Sequence, residues 1–167
     1  MVMIIQVGGL SEGVYEYRFQ VQSEELGLGE RFAKDVLVEA TLEKTGSQLF
    51  LQASIHAWGV FDCDRCVTPF ETALNPSYRM YYVTTDEEYA QFDPAEVQAL
   101  TPGMSTIDIS DDVRQMIMLS VPLKLLCRNE CAGLCQQCGK NLNEGSCECT
   151  TALNDSRWDP LRRLQSN

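Results

Sequence analysis

The sequence predicts an α+β fold: a mainly antiparallel, barrel-like β sheet with one helix packed on it, followed by a cysteine-rich C-terminal module. Three observations carry this expectation. Apolar and polar residues alternate with period two through much of residues 2–82, the pattern of strands with one buried face. An amphipathic stretch with helical spacing follows at about 110–121, and six of the eight cysteines then crowd into residues 127–149. A chain of 167 residues is long enough for one proper core plus a small appended module. The expected division is a β-rich domain over 1–122 and a metal-binding module over 123–167.

The elements follow in order. Val2 to Val7 reads as a first strand, broken by Gly8-Gly9, and a second strand around Val14 to Val21 places Tyr15, Tyr17, Phe19 and Val21 on one face. Ser23 to Gly29 is a turn or short helical segment. The clearest β pattern comes next: Val36, Val38, Ala40 and Leu42 alternate with Leu37, Glu39, Thr41 and Glu43, and after the turn Lys44 to Ser47 the alternation resumes at Leu49, Leu51, Ala53, Ile55 and Ala57. This is a long hairpin with one buried face. Its second arm runs into Cys63-Asp-Arg-Cys66, and a further strand leaves with Phe70, Thr72, Leu74, Tyr78, Met80 and Tyr82 at period two. The cysteine pair therefore belongs to a turn between strands, with Trp58 and Phe61 packing over its edge.

Thr84 to Gln98 is acidic and reads as a solvated loop, with a short helix begun at Asp93-Pro94. Thr106 to Ile109 is a short extended piece. Ser110 is expected to cap the helix with its hydroxyl, ahead of Asp111 and Asp112 in the first turn. Val113, Met116, Ile117 and Ser120 mark the packed face, which Met118 and Val121 widen, and Pro122 ends the helix. The chain closes on Trp158, Leu161 and Leu164 at helical spacing beside Arg157, Arg162 and Arg163. That stripe predicts a short amphipathic tail helix which either docks on its own domain or, through those arginines, binds a partner.

Cysteine spacing carries the chemistry. A C-x2-C turn presents two thiolates to one ion, and Zn²⁺ takes four such ligands in a tetrahedron. Cys135 and Cys138, followed by Gly139, form such a turn, and Cys147 and Cys149 supply the second pair of one closed site. Cys63, Cys66, Cys127 and Cys131 are left for a second site, although nothing in the sequence shows that these two pairs meet. The expected cofactor is one or two zinc ions.

Three other uses of the cysteines fit less well. The N-terminal segment lacks the basic and apolar regions of a secretory leader, so a cytoplasmic chain with reduced thiols is expected rather than a disulfide framework. Cys131-x3-Cys135-x2-Cys138 matches the iron–sulfur triplet of radical enzymes, but those need a large barrel around the cluster. A redox dithiol at Cys63 and Cys66 wants a βαβ context, not alternating strands. His56, the sole histidine, sits on the polar face of its strand as an ordinary partly exposed residue.

Charge limits the partners. A net charge of −11 disfavours whole-surface attraction to nucleic acid, which depends on Lys and Arg neutralising phosphates. No apolar run approaches the ~20 residues of a membrane span.

Several motifs together carry a family resemblance. They are Cys63-x-Arg65-Cys66 with Pro69-Phe70, Asp108 to Arg114, Val121-Pro-Leu123, the run C-x3-C-x-G-L-C-x2-C-G-x-N-L-N from Cys127 to Asn143, Cys147-x-Cys149, and D-x-R-W-x2-L-x2-L from Asp155 to Leu164. In this order, from about Asp35 to Leu164, the chain resembles the YceD-like family of large ribosomal RNA subunit accumulation proteins. The resemblance implies a cytoplasmic bacterial or plastid-type factor linked to accumulation of large-subunit ribosomal RNA, acting on RNA or a large-subunit ribosomal protein. It implies no established catalytic activity; separately, no membrane and no small-molecule substrate are expected as partners. The competing class is a metal-dependent or thiol-redox enzyme using the cysteine cluster. A catalytic zinc keeps one position open beside His or carboxylate ligands, whereas this chain offers two all-thiolate sets.

Overall fold

The computed structural model describes residues 3–84, 89–101 and 103–149. The elements that lie wholly within them are β1 (Ile4–Gln6), β2 (Gly13–Val21), β3 (Val36–Thr45), β4 (Gln48–Asp62), β5 (Pro69–Leu74), β6 (Ser77–Val83), β7 (Val97–Ala99), β8 (Thr106–Asp108) and the helix α1 (Ser110–Ser120). The hairpin of β3 and β4 is the spine. Val38 faces Ile55, Ala40 faces Ala53 and Leu42 faces Leu51 across it, all buried, while Glu39, Thr41 and Glu43 point to solvent. A one-residue slip would turn that apolar row outward, so the alternation itself fixes the register. β2 adds Tyr15, Tyr17, Phe19 and Val21 opposite Leu42, Ala40, Val38 and Val36, extending the same face.

β5 and β6 are one strand interrupted. β5 pairs with the far half of β4 (Ala57↔Leu74) and β6 with its near half (Ser54↔Ser77), in a single unbroken register. Between them Pro76 still accepts from the Ile55 N–H at 2.9 Å. Lacking an N–H of its own, it cannot donate to the ladder in return. His56, exposed as expected, meets Asn75 Oδ1 at 2.9 Å across this break.

Three expectations need correction. The sheet does not close: its path is β2-β3-β4-β6-β7 with β5 on β4, and β1 pairs with β8 in a separate two-stranded ribbon, so there is no barrel among the described residues. Part of the acidic stretch forms a strand. Asp93 makes a turn rather than starting a helix, its carbonyl accepting from the Glu96 N–H at 2.8 Å and its carboxylate from the Ala95 N–H at 2.9 Å. That turn delivers β7 alongside β6, in parallel. Asp86, Glu87 and Glu88 lie outside the described residues.

The third correction concerns the helix start. Ser110 is the first helical residue, and Ile109 holds the cap position without a side-chain bond. The Ser110 hydroxyl instead accepts from the Met3 N–H at 2.9 Å, tying the chain just before β1 to α1, while Asp108 takes the Ser110 N–H at 3.0 Å. Val113 and Ile117 are buried against Met3, Ile5 and the β3–β4 face, but Met118 is 50% exposed, so the packed stripe is narrower than the sequence suggests. The helix ends where Val121 turns extended ahead of Pro122, a conformation the proline ring demands of its neighbour. No helix among the described residues is long and apolar enough to cross a membrane.

Candidate metal centre

β4 carries its buried face through Ala57, Gly59 and Phe61 to Cys63. Phe61 stands edge-on to Phe32 at 5.9 Å, packing as expected, while Trp58 is partly exposed beneath Lys34 Nζ, 4.9 Å from its ring centre. The chain then folds into a knuckle. The Val67 N–H returns to the Cys63 carbonyl at 2.8 Å, and the Cys63 N–H reaches the Thr68 carbonyl at 3.1 Å. Residues 135–140 repeat this pattern: the Gly139 N–H bonds the Cys135 carbonyl at 2.9 Å, and the Cys135 N–H bonds the Lys140 carbonyl at 2.8 Å. Both knuckles put the residue after the second cysteine in the left-handed region, Gly139 at φ 72° and Val67 at φ 57°. Glycine is at ease there; a β-branched valine is not.

Two tetrads result. Cys63, Cys66, Cys127 and Cys131 bring their Sγ atoms within 4.8 Å of one another, as do Cys135, Cys138, Cys147 and Cys149. The pairs left unconnected by the sequence thus meet. In the inner tetrad Cys63, Cys66 and Cys131 are buried; in the outer one Cys138 is exposed. Hydrogen bonds from the main chain and side chains of Asp64 and Arg65 draw the inner arms together. After α1 the chain exchanges two bonds with the first knuckle, Asp64 N–H to the Leu125 carbonyl at 2.8 Å and Leu125 N–H to the Asp64 carboxylate at 2.6 Å. Arg65 Nη1 donates to the Cys131 carbonyl at 2.9 Å, and the Arg65 carbonyl accepts from the Leu134 N–H at 3.1 Å. Gly133, at φ 75°, permits this approach, since a Cβ there would stand 3.2 Å from the Arg65 oxygen.

The donor set fits a tetrahedral zinc. Metal–sulfur bonds of about 2.3 Å imply tetrahedron edges of about 3.8 Å. Cys63 and Cys131 Sγ are 3.8 Å apart, and Cys66 and Cys127 Sγ are 3.7 Å apart. A disulfide would need about 2.05 Å. Electrostatics points the same way. Burial opposes ionisation of Cys63 most strongly, but the amides of Cys127, Arg65 and Cys66 outweigh it and bring its pKa down to about 6. The amides of Cys138 and Gln137 do the same for Cys135, also to about 6. Meanwhile burial and the surrounding thiols push Cys127 up to about 12, and the Cys138 thiol and burial push Cys149 up to about 12. Each tetrad ionises readily at first and then resists, because four negative sulfurs need a cation among them.

Sequence reasoning missed the residues that support the ligands. Asn143, in the polar loop between Cys138 and Cys147, donates from Nδ2 to Cys131 Sγ at 3.2 Å. With the Gly133 amide it favours the Cys131 thiolate against the burial that opposes it. Asp64 and Arg65 lay inside the motif but gave no sign of their backbone partners. Arg157, Arg162 and Arg163 lie outside the described residues.

A family model described as "Large ribosomal RNA subunit accumulation protein YceD" matches residues 51–165. Among curated proteins, the chain is 34% identical over 64 residues to the chloroplastic large ribosomal RNA subunit accumulation protein YCED homolog 1 of Arabidopsis thaliana, covering 38% of this chain and 20% of that one. It is 50% identical over 44 residues to the Zea mays protein of the same name, covering 26% and 15%. An uncharacterized protein of Mycobacterium leprae is 26% identical over 113 residues, covering 63% and 48%. The matches thus span about half or less of these relatives' own lengths. No solved structure matches the chain.

Proposed function

This chain belongs to the family of large ribosomal RNA subunit accumulation proteins typified by YceD, and on that premise we propose that it is a non-catalytic, zinc-binding factor of ribosome biogenesis. It supports accumulation and processing of large-subunit (23S) ribosomal RNA by binding that RNA or a large-subunit ribosomal protein, in the cytoplasm. The observation that carries the non-catalytic reading is the pair of all-cysteine tetrads. Four thiolates fill a tetrahedral zinc and leave no position for a reactive water, which is how structural rather than catalytic zinc is held. When bound, zinc supplies cross-linking and charge neutralisation. The protein's own contribution is two matching knuckles, one on the end of the β4–β5 sheet and one in the C-terminal module, that hold the arms for it.

With a net charge of −11 the chain needs a local cationic surface to meet RNA. Arg157, Arg162 and Arg163 supply the densest basic run in the sequence and are the proposed partner contact. The test is a pull-down of the tagged chain from lysate, with and without ribonuclease, beside the variant in which all three arginines are replaced by glutamine. Recovery of large-subunit RNA or protein that falls in the variant supports the reading. Equal sedimentation of variant and wild type with ribosomal particles removes the arginines from it, and no ribosomal component in either arm removes the function.

A further inference from the structure

The loop between Cys138 and Cys147 is tied at both ends to the outer tetrad, yet its middle rests on the inner one. Asn143, at its centre, uses its whole amide in doing so. One Nδ2 hydrogen goes to Cys131 Sγ at 3.2 Å and the other to Asn141 Oδ1 at 2.9 Å, while Oδ1 accepts from the Ala132 N–H at 2.9 Å and from Arg128 Nη2. Two donors and two acceptor lone pairs are all that a carboxamide has. The orientation is thereby settled by chemistry, since a flipped amide would set its oxygen against a sulfur and another oxygen and its NH₂ against two donors. Asn141 braces this arrangement. Its Oδ1 also takes the Asn143 N–H at 3.0 Å, and its Nδ2 reaches Thr68 Oγ1 at 3.3 Å and Glu144 Oε1 at 3.1 Å. Thr68 belongs to the first knuckle, and the Leu142 N–H reaches the Gly133 carbonyl at 2.9 Å, so the loop touches both arms of the inner site.

We propose that Asn143 is a positioning residue that couples the two metal centres: zinc in the outer tetrad holds the 139–146 loop in place, and the loop presents Asn143 to the inner ligand Cys131. The inference rests on both tetrads taking zinc. A hydrogen bond to a ligating sulfur orients it and tempers its charge, and losing such an outer-shell partner typically costs about 10- to 100-fold in metal affinity. Because coupling between binding sites is reciprocal, each ion retains the other.

The test follows zinc release from the full chain to a colorimetric chelator. Wild type is expected to release two zinc ions in two phases, the slower from the buried inner tetrad. Asn143→Ala leaves all eight thiols in place and is expected to keep two zinc ions while speeding the slow phase about 10- to 100-fold. Asn143→Asp retains the acceptor that holds Ala132 and Arg128 but loses the donor to sulfur. It is expected to match Asn143→Ala and, with cobalt in place of zinc, to move the sulfur-to-metal charge-transfer band to longer wavelength, because the sulfur becomes more electron-rich. The Cys138→Ser/Cys149→Ser variant, which disables the outer tetrad, is expected to hold one zinc, to release it as fast as Asn143→Ala does, and to show no further change when Asn143→Ala is added.

Wild-type release of the slow zinc from Asn143→Asp would overturn the proposal, leaving Asn143 a loop tie only. So would an Asn143→Ala effect that persists at full size without the outer tetrad. A wild-type chain that takes up no zinc fails in a different way, removing the metal reading beneath the proposal.

Discussion

Replacing Val67 by glycine should stabilise this protein. Val67 occupies the place in the first knuckle that Gly139 occupies in the second, at φ 57° against 72°. The left-handed region costs an L side chain about 1–2 kcal/mol. Glycine removes that cost, but its greater freedom in the unfolded chain takes back about 0.5–1 kcal/mol. The valine side chain is 63% exposed, so little burial is forfeited. The net gain is about 0.5–1 kcal/mol, which for a chain of this size raises Tm by roughly 1–4 °C. The mirror substitution, Gly139→Val, places its Cβ in open space and so isolates the backbone contribution. It should lower Tm by a similar amount. The assay is thermal unfolding by circular dichroism at fixed free zinc, with metal content measured for each variant. A Val67→Gly chain with full metal content that melts at or below the wild-type temperature refutes the account, since it would mean that the valine earns its conformation by a contact at the knuckle.

Other perturbations have equally definite outcomes. Gly133→Ala combines a left-handed backbone with a Cβ 3.2 Å from the Arg65 carbonyl, so it should cost about 2–3 kcal/mol and weaken metal retention at the inner tetrad, read by chelator competition. Cys138→Ser, or a strong chelator acting on wild type, should expose residues 127–149 to limited proteolysis, because metal binding and folding are one equilibrium in such small units; an unchanged cleavage pattern counts against it. Burial first, and then the Asp111 and Asp108 carboxylates, raise the Asp112 pKa. An acid that holds its proton more tightly when folded penalises the fold above its folded pKa and ceases to do so as pH falls towards the unfolded value of about 3.9. Asp112→Asn should therefore raise Tm at pH 7, with the gain fading by about pH 4 in a pH series of melts. The Tyr82 hydroxyl is buried with no hydrogen-bond partner among the described residues, and burial first and then Asp112 raise its pKa. Tyr82→Phe should be stabilising by about 1 kcal/mol in denaturant unfolding.

Much of the sheet was legible because its signal is local. Every second residue from Val36 to Leu42 and from Leu49 to Ala57 is apolar, and such a strand has one way to bury that row. The place of Cys63 and Cys66 at a strand end could be read from the same rhythm. Closure was not legible, since β1 has three residues and nothing in them distinguishes β8 from β2 as a partner. β7 was hidden for a similar reason: three residues, one of them buried, cannot be told from an acidic loop until β6 offers an edge. Ser110 was misread because Met3, more than 100 residues earlier in the chain, claims the hydroxyl that local rules assign to the helix. At the candidate site the cysteine spacing told which residues matter. The reach of Asn143 to Cys131 was beyond it, because an asparagine in a polar loop looks alike whether it faces water or sulfur.

Cys63 and Cys131 lie 68 residues apart, so a nascent chain completes half of the inner site well before the other half has been translated. At roughly 5 to 20 residues per second the interval is about 3 to 14 seconds. Throughout it the first knuckle stands finished on its sheet with two thiols and no opposing arm. Oxidants and ill-fitting metals have their best opportunity during that wait, which ends only when Cys127 and Cys131 arrive to shut it.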